Sequence, residues 1–481
     1  MRTGANSSRL KYENCNSRKR SMENKGFLNM VKGDKVVWIV VLLLIMISMI
    51  TISGSTSLLA LQNKGTRLDI IGKQVLFTLV GFLAIFLCYI IPKSKPFEIV
   101  SRGCFIISLI LLIALDVHID LGRNFRAVEF NGVYRAISIK GFQVHIFEIV
   151  KVAMVMYIAW ASKAIKQNEL KTLRFFSNMQ FGKAGKKPFA WLDSEWGIVS
   201  YYVFVPILTI TVLVLPGGNS SAIFILGVMI ITAFVGGVDS KKIMFLAVAG
   251  ILCLAACFGI YKISDGKMMT RIGTGIERVS EKPTVEEILE MKDKGLEGTT
   301  EYKKKMMKVQ QPYSAKIAVH EGGLFRKGVG GSTQKYVVPV MYGDFIYCYI
   351  LEETGLFGGI LIIILYLSLI ARGVKIVQNC HDTFAQTSVA GLIILITSQA
   401  FMHMAINLDM GPLTGQTLPV VSHGTSAYLC FCGAFGIILS MSKMSWEATS
   451  EEERQADLAR GRTSGEPLEE AAQEAEGGKN E

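Results

Sequence analysis

The chain has 481 residues, of which 51% are hydrophobic and 19% charged, and a formal net charge of +12. So many uninterrupted apolar stretches exclude an ordinary soluble protein. The placing of the charge, at the ends and between apolar segments, excludes a nucleic-acid binder.

Residues 1–35 form a basic leader with nine Lys/Arg, among them Arg18-Lys19-Arg20. Apolar windows of roughly 17–25 residues then read as membrane-spanning helices. They fall at about 36–57, 75–92, 99–117, 148–165, 197–216, 221–238, 243–263, 345–370, 384–406 and 426–443. The first is too long, and its leader too basic, for a plain cleaved signal peptide. The loop after the fourth span carries Lys163, Lys166, Lys171, Arg174, Lys183, Lys186 and Lys187. Ten spans with an inside N-terminus place both basic stretches in the cytoplasm, where they suit anionic lipid headgroups. The loop 264–344 then falls outside, and 444–481, acidic and poor in apolar residues beyond Glu447, reads as a disordered cytoplasmic tail. The expected class is all-α: a polytopic integral membrane protein of about ten transmembrane helices over 36–443 with one large extracellular loop.

The nine cysteines lie mostly in apolar spans and show neither CxxC nor zinc spacing. They read as small buried hydrophobes. The six histidines form no HExxH pattern. No metal site is read from the chain, and a divalent cation is left open.

Three polar islands interrupt the apolar pattern. The first, Asn131–Lys151, holds Asn131-Gly132, Arg135, Glu148 and Lys151. Glu148 and Lys151 are three apart and share a helix face. Such a pair either anchors a helix end or marks a site, since ionisable groups at membrane depth are costly. The second is the Gly-rich basic stretch Glu321-Gly322-Gly323-Leu324-Phe325-Arg326-Lys327-Gly328-Val329-Gly330-Gly331-Ser332-Thr333-Gln334-Lys335-Tyr336, followed by Asp344 and Glu352-Glu353-Thr354-Gly355. Glycines let backbone amides approach an anion, and Arg326, Lys327 and Lys335 supply charge. Asp344 immediately precedes the eighth apolar span. It is either a base near the outer surface or a helix N-cap. The third is Pro412–Ser426, with Pro412, Gly415, Pro419, Ser422, His423 and Gly424 between two apolar segments. Non-helical backbone survives there only against protein or a water-filled cavity.

These islands resemble the SEDS family, the FtsW/RodA/SpoVE cell-wall glycosyltransferases. Pro412-x-Thr414-Gly415-x-x-Leu418-Pro419-x-x-Ser422-His423-Gly424-x-Ser426 resembles P-x-T-G-x-x-L-P-F-x-S-[YH]-G-G-[ST]-S, with Asn407 preceding it where the family has N. Gly323-Leu324-Phe325-x-Lys327-Gly328-x-Gly330 and Ser332-x-Gln334-Lys335 resemble G-L-F-G-K-G-x-G and S-x-Q-K. Asp344-Phe345-Ile346 and Glu352-Glu353-x-Gly355 resemble D-F-I-F and E-E-L-G. Asn131-Gly132-x-x-Arg135 and Glu148-x-x-Lys151 resemble N-G-x-x-R-W-I and S-E-x-x-K. There are departures. Ala136 replaces the tryptophan, His145-Ile146-Phe147 replaces Q-P-S, and Leu215–Ser220 lacks the acidic residue of Q-P-D-L-G-T. Val338–Gly343 replaces the polar neighbours of Asp344.

The resemblance implies a multi-pass protein of the bacterial cytoplasmic membrane that polymerises lipid II, the undecaprenyl-diphosphate-linked disaccharide peptide, into glycan strands during division, elongation or sporulation. A class B penicillin-binding transpeptidase and membrane lipids are the implied partners. Asp344 takes the place of the general base. Arg326, Lys327 and Lys335 are the expected diphosphate clamps, with Arg135, Ser422 and His423 also on substrate. Glu148, Lys151, Pro412, Gly415, Pro419 and Gly424 are expected to shape the cavity. A lipid-linked precursor flippase and an inactive scaffold for the transpeptidase are the alternatives.

Overall fold

The computed structural model describes residues 32–56, 67–122, 125–130, 133–140, 142–170, 177, 190–263, 285–295, 299–324, 327–328, 330–338, 341–411 and 414–459. Most of the basic leader, Asn131, Gly132, the basic loop beyond Leu170, Arg326, Pro412 and the last residues of the tail lie outside these.

Ten helices fall on the ten expected spans: α1 (Lys35–Ser55), α2 (Arg67–Ile90), α3 (Ser94–Asp116), α4 (Ile146–Lys166), α5 (Glu195–Gly217), α6 (Asn219–Val235), α7 (Ser240–Ile263), α10 (Ile346–Asn379), α11 (Thr383–Asn407) and α12 (Thr425–Ala459). Between α7 and α10 the loop contains two further helices, α8 (Val285–Asp293) and α9 (Thr300–Gly322). Seven of the ten are long and apolar enough to cross a bilayer. α6 is shorter, and α4 carries Glu148, Lys151, Lys163 and Lys166.

The irregular turns of α5 follow from its prolines. Pro206 has no N–H and its ring crowds the carbonyl four residues back. The chain widens to a π turn at Ser200–Phe204 just before it. Pro216 then lies in a closing 3-10 turn, Leu215–Gly217.

α4 is the central pillar. Val155, Met156 and Ala159 pack into one buried cluster with α1, α10, α11 and α12. Val150, Met154 and Ile158 pack into a second with α5 and α6. α2 and α3 are peripheral. Leu76, Leu79, Leu83 and Leu87 of α2 and Ile99, Ile106 and Ile110 of α3 are exposed apolar side chains, as a lipid-facing surface requires.

The all-α class has one addition. β1 (Phe125–Phe130), β2 (Val133–Ile139) and β3 (Phe142–His145) form an antiparallel sheet in that order. Ala136 pairs with His145, the residue before α4. The sheet therefore fixes where α4 begins and brings Arg135 to the same level.

The helices alternate in direction, so the molecule has two ends. Ion pairs knit one of them. Asp34 caps α1 by accepting from Val36 N and Val37 N, and lies 2.6 Å from Arg372 of α10. Lys163 of α4 is 2.7 Å from both Glu98 of α3 and Asp382 before α11. The sheet, α8, α9 and the described residues of the three polar islands are at the other end.

Two expectations change. The tail expected to be disordered from 444 continues as helix to Ala459. Glu, Ala and Gln are good helix formers, and α12 is already nucleated by its buried half. Glu447 pairs with Lys32 at 3.2 Å and Glu452 with His381 at 3.6 Å. The eighth span is not one rod: Gly355 breaks α10 at φ 68°, ψ −168°.

Candidate active site

Asp344 lies in the turn 341–345, and α10 begins two residues later. The N-cap position is Phe345, whose side chain makes no capping bond. The capping explanation for Asp344 therefore fails on geometry. Its carboxylate has no hydrogen-bond partner among the described residues, while its backbone carbonyl accepts from Asn407 Nδ2 at 2.9 Å. Burial raises its pKa from the usual carboxylate range to about 6, and the positive charge of Arg135 acts in the opposite direction.

Arg135, on β2, lies close enough for its charge to act on Asp344. Its Nε donates to Gly217 O at 3.0 Å, at the end of α5. The guanidinium lies against two glycines. A Cβ on Gly218 would come within 3.2 Å of Nη2, and one on Gly415 within 3.5 Å of Nη1. Gly415 also sits at φ 66°, where side chains other than glycine's are strained. One cation thus spans the sheet, the α5–α6 turn and the run before α12.

That run is non-helical over 414–424 and is held by buried polar groups. Lys151 of α4 donates from Nζ to Glu148 Oε1 (2.7 Å), Gln399 Oε1 (2.7 Å) and Gln416 Oε1 (2.8 Å). Gln416 Nε2 continues to Ser221 Oγ of α6, and Gln399 Nε2 to Thr417 O. Gln416 O is 2.8 Å from His403 Nδ1. Further along, Ser422 Oγ accepts from Leu418 N and donates to Gly343 O at 3.0 Å. His423 N donates to Tyr342 O, and its ring stands edge-on to Tyr342, with Nδ1 3.2 Å from Gln74 Oε1 of α2. Pro419 O accepts from Tyr366 OH at 2.6 Å. Gly424 O accepts from Tyr428 N as α12 starts, and Ser426 Oγ accepts from His145 N. Val420 is held at φ 65°, an unfavourable conformation for a β-branched residue.

Arg135, Asp344, Gly415, Ser422 and His423 therefore belong to one junction, with Glu148, Lys151, Pro419 and Gly424 supporting it. Lys327 and Lys335 bond elsewhere. Lys327 pairs with Glu321 and lies 3.4 Å from Glu352, and Lys335 Nζ donates to Gly330 O at 2.7 Å. Glu352 is fully buried and accepts from Thr333 N and Ser332 Oγ. Glu353 accepts from Gly330 N, and Leu356 N, just past the break in α10, donates to Gly323 O. These cations and carboxylates latch the Gly-rich loop onto the first turns of α10. Arg326 and Pro412 lie outside the described residues. No three His, Cys, Asp or Glu side chains come together as a metal site among the described residues.

Sequence reasoning passed over Gln399, His403 and Gln416. The signal was available, since Gln399 and His403 are polar residues inside an otherwise apolar span.

The fold and the buried polar junction define a polytopic membrane protein with a site at one end of its helix bundle. Residues 34–447 match the family model FtsW/RodA/SpoVE, described as "Cell cycle protein", and the chain belongs to that family. It is a multi-pass protein of the cytoplasmic membrane. A protein of Trichlorobacter lovleyi named probable peptidoglycan glycosyltransferase FtsW is 24% identical over 85% of this chain and 93% of its own length. Two solved structures share the fold. A chain from a study of polymerization and crosslinking by a peptidoglycan synthase complex has a TM-score of 0.57 at 15% identity, covering 85% of this chain and 97% of its own. The rod shape determining protein RodA of Thermus thermophilus has a TM-score of 0.51 at 16% identity, covering 85% and 96%.

Proposed function

We propose that this protein is a peptidoglycan glycosyltransferase that polymerises lipid II at the outer face of the membrane, with Asp344 as general base. The observation that carries the reading is a carboxylate that caps nothing, accepts no hydrogen bond among the described residues, and feels the charge of one arginine. A sugar hydroxyl is a poor nucleophile and needs its proton removed as it attacks. Asp344 takes that proton while the hydroxyl oxygen bonds the donor's anomeric carbon and the bond to the lipid diphosphate breaks. A single displacement of this kind inverts the configuration at the anomeric carbon and requires no covalent sugar–enzyme intermediate. The leaving diphosphate needs positive charge rather than an acid, and Arg135 supplies it. Lys327 and Lys335, engaged within their loop, hold its shape. Family membership and the name of the Trichlorobacter relative support the same reaction.

Two measurements test this. The purified protein, alone and with a class B penicillin-binding transpeptidase as partner, is expected to convert lipid II into glycan polymer. No polymer under either condition from a folded preparation would move the reading to a scaffold. The site end must also face outward. In a variant lacking reactive native cysteines, a cysteine replacing the exposed Lys294 should be labelled in intact cells, and one replacing Asp239 between α6 and α7 only after cells are opened. The reverse pattern would put the site on the wrong side for this reaction.

A further inference from the structure

Asn407, the last residue of α11, is 2% exposed. Its side chain does two things. Nδ2 donates to Asp344 O at 2.9 Å and to His403 O at 2.9 Å. Oδ1 accepts from Cys348 N at 3.2 Å. Cys348 is the third residue of α10, and its N–H is one of those a helix leaves without an internal partner. A helix usually satisfies that N–H with its own N-cap side chain. Here Phe345 offers none, and Asp344 stands next to it with a group well suited to capping.

We propose that Asn407 is a positioning residue for Asp344: by capping α10 from a different helix and gripping the Asp344 carbonyl, it keeps the carboxylate out of helix capping and directed to substrate. This rests on the reading of Asp344 as the base. Without Asn407 the Cys348 N–H is orphaned and the turn is released. The carboxylate can then bond that N–H or reach water, and either stabilises its charged form. The titratable and charged groups around the turn are Arg135 from β2, Tyr342 within it, His423 from the run, His403 behind Asn407 and Cys348 on α10. The substitution removes none of these groups, though His403 Nε2 and Cys348 N each lose Asn407 as a neighbour.

The test measures lipid II polymerisation by the purified full-length protein against pH. Asn407→Ala should lower kcat by about 10-fold or more with KM changed less than about 3-fold, as for a group acting only in the transition state. The acid limb of its pH–rate profile should move down by at least about half a unit as the carboxylate gains a partner. Asn407→Ser, whose short hydroxyl cannot reach both partners, should show the same two changes and serves where the alanine variant does not fold. Turnover at the wild-type level, or a loss of turnover with the acid limb unmoved, would reduce Asn407 to a structural role. A folded wild-type protein without activity would overturn the reading of Asp344 and this inference with it.

Discussion

Asp344→Asn is expected to lower lipid II polymerisation by about 100-fold or more, the lower range for losing a general base, without loss of folding. Asparagine has the same shape and cannot take a proton. The fold should tolerate it because the Asp344 side chain neither caps α10 nor accepts a hydrogen bond among the described residues. The sign of the pH effect points the same way. The folded-state pKa, about 6, lies above that of an unfolded carboxyl, so the folded chain holds the proton more tightly. Stability from this group is present at low pH and declines as pH rises through about 6. Asparagine is always neutral, so the variant should melt no lower than wild type at pH about 8. The wild-type rate should climb as pH rises toward about 6 and level off above it. Normal glycan synthesis by a folded Asp344→Asn protein would remove Asp344 from the chemistry.

Lys151→Met is expected to cause the largest loss of stability. The Lys151 side chain is 1% exposed and that of Glu148 11%. Methionine matches the lysine stem but leaves Glu148 buried without its counter-charge, and breaking such a pair costs about 3–5 kcal/mol. Gln399 and Gln416 lose their common donor. The run 414–424 then loses its tie to α4, and activity should fall with stability. Melting in detergent checks the first part and polymerisation the second. The double change Lys151→Met with Glu148→Gln removes the uncompensated charge and should recover much of the melting temperature. A single Lys151→Met variant as stable and active as wild type would make the network incidental.

The bundle was legible because lipid imposes a simple demand on composition: each long apolar window became a helix. The sheet was not. Phe125–Phe130 and Val133–Ile139 flank Asn131-Gly132, a hairpin signal read only as part of a polar island. The pairing of Glu148 with Lys151 could be read from spacing, because both lie on one helix. Their links to Gln399 and Gln416 could not, because those lie 248 and 265 residues from Lys151. Asp344 showed the limit most clearly. Local pattern left capping and catalysis equally open. The capping group for α10 comes from Asn407, which is 59 residues from Cys348 in the chain.

The break at Gly355 limits how the molecule can move. Where α10 is interrupted, Leu356 N is satisfied by Gly323 O, and Glu352 and Glu353 gather the N–H groups of Thr333 and Gly330. A transporter that exposed its cargo alternately to the two sides would need to open and reclose such a junction at each cycle. It would leave the buried carboxylates of Glu352 and Glu353 without their partners every time, at a cost of about 1–3 kcal/mol or more for each charged group. A polymerase has no such need. Its donor and acceptor arrive along the same leaflet, and the growing strand slides over a surface that can stay closed.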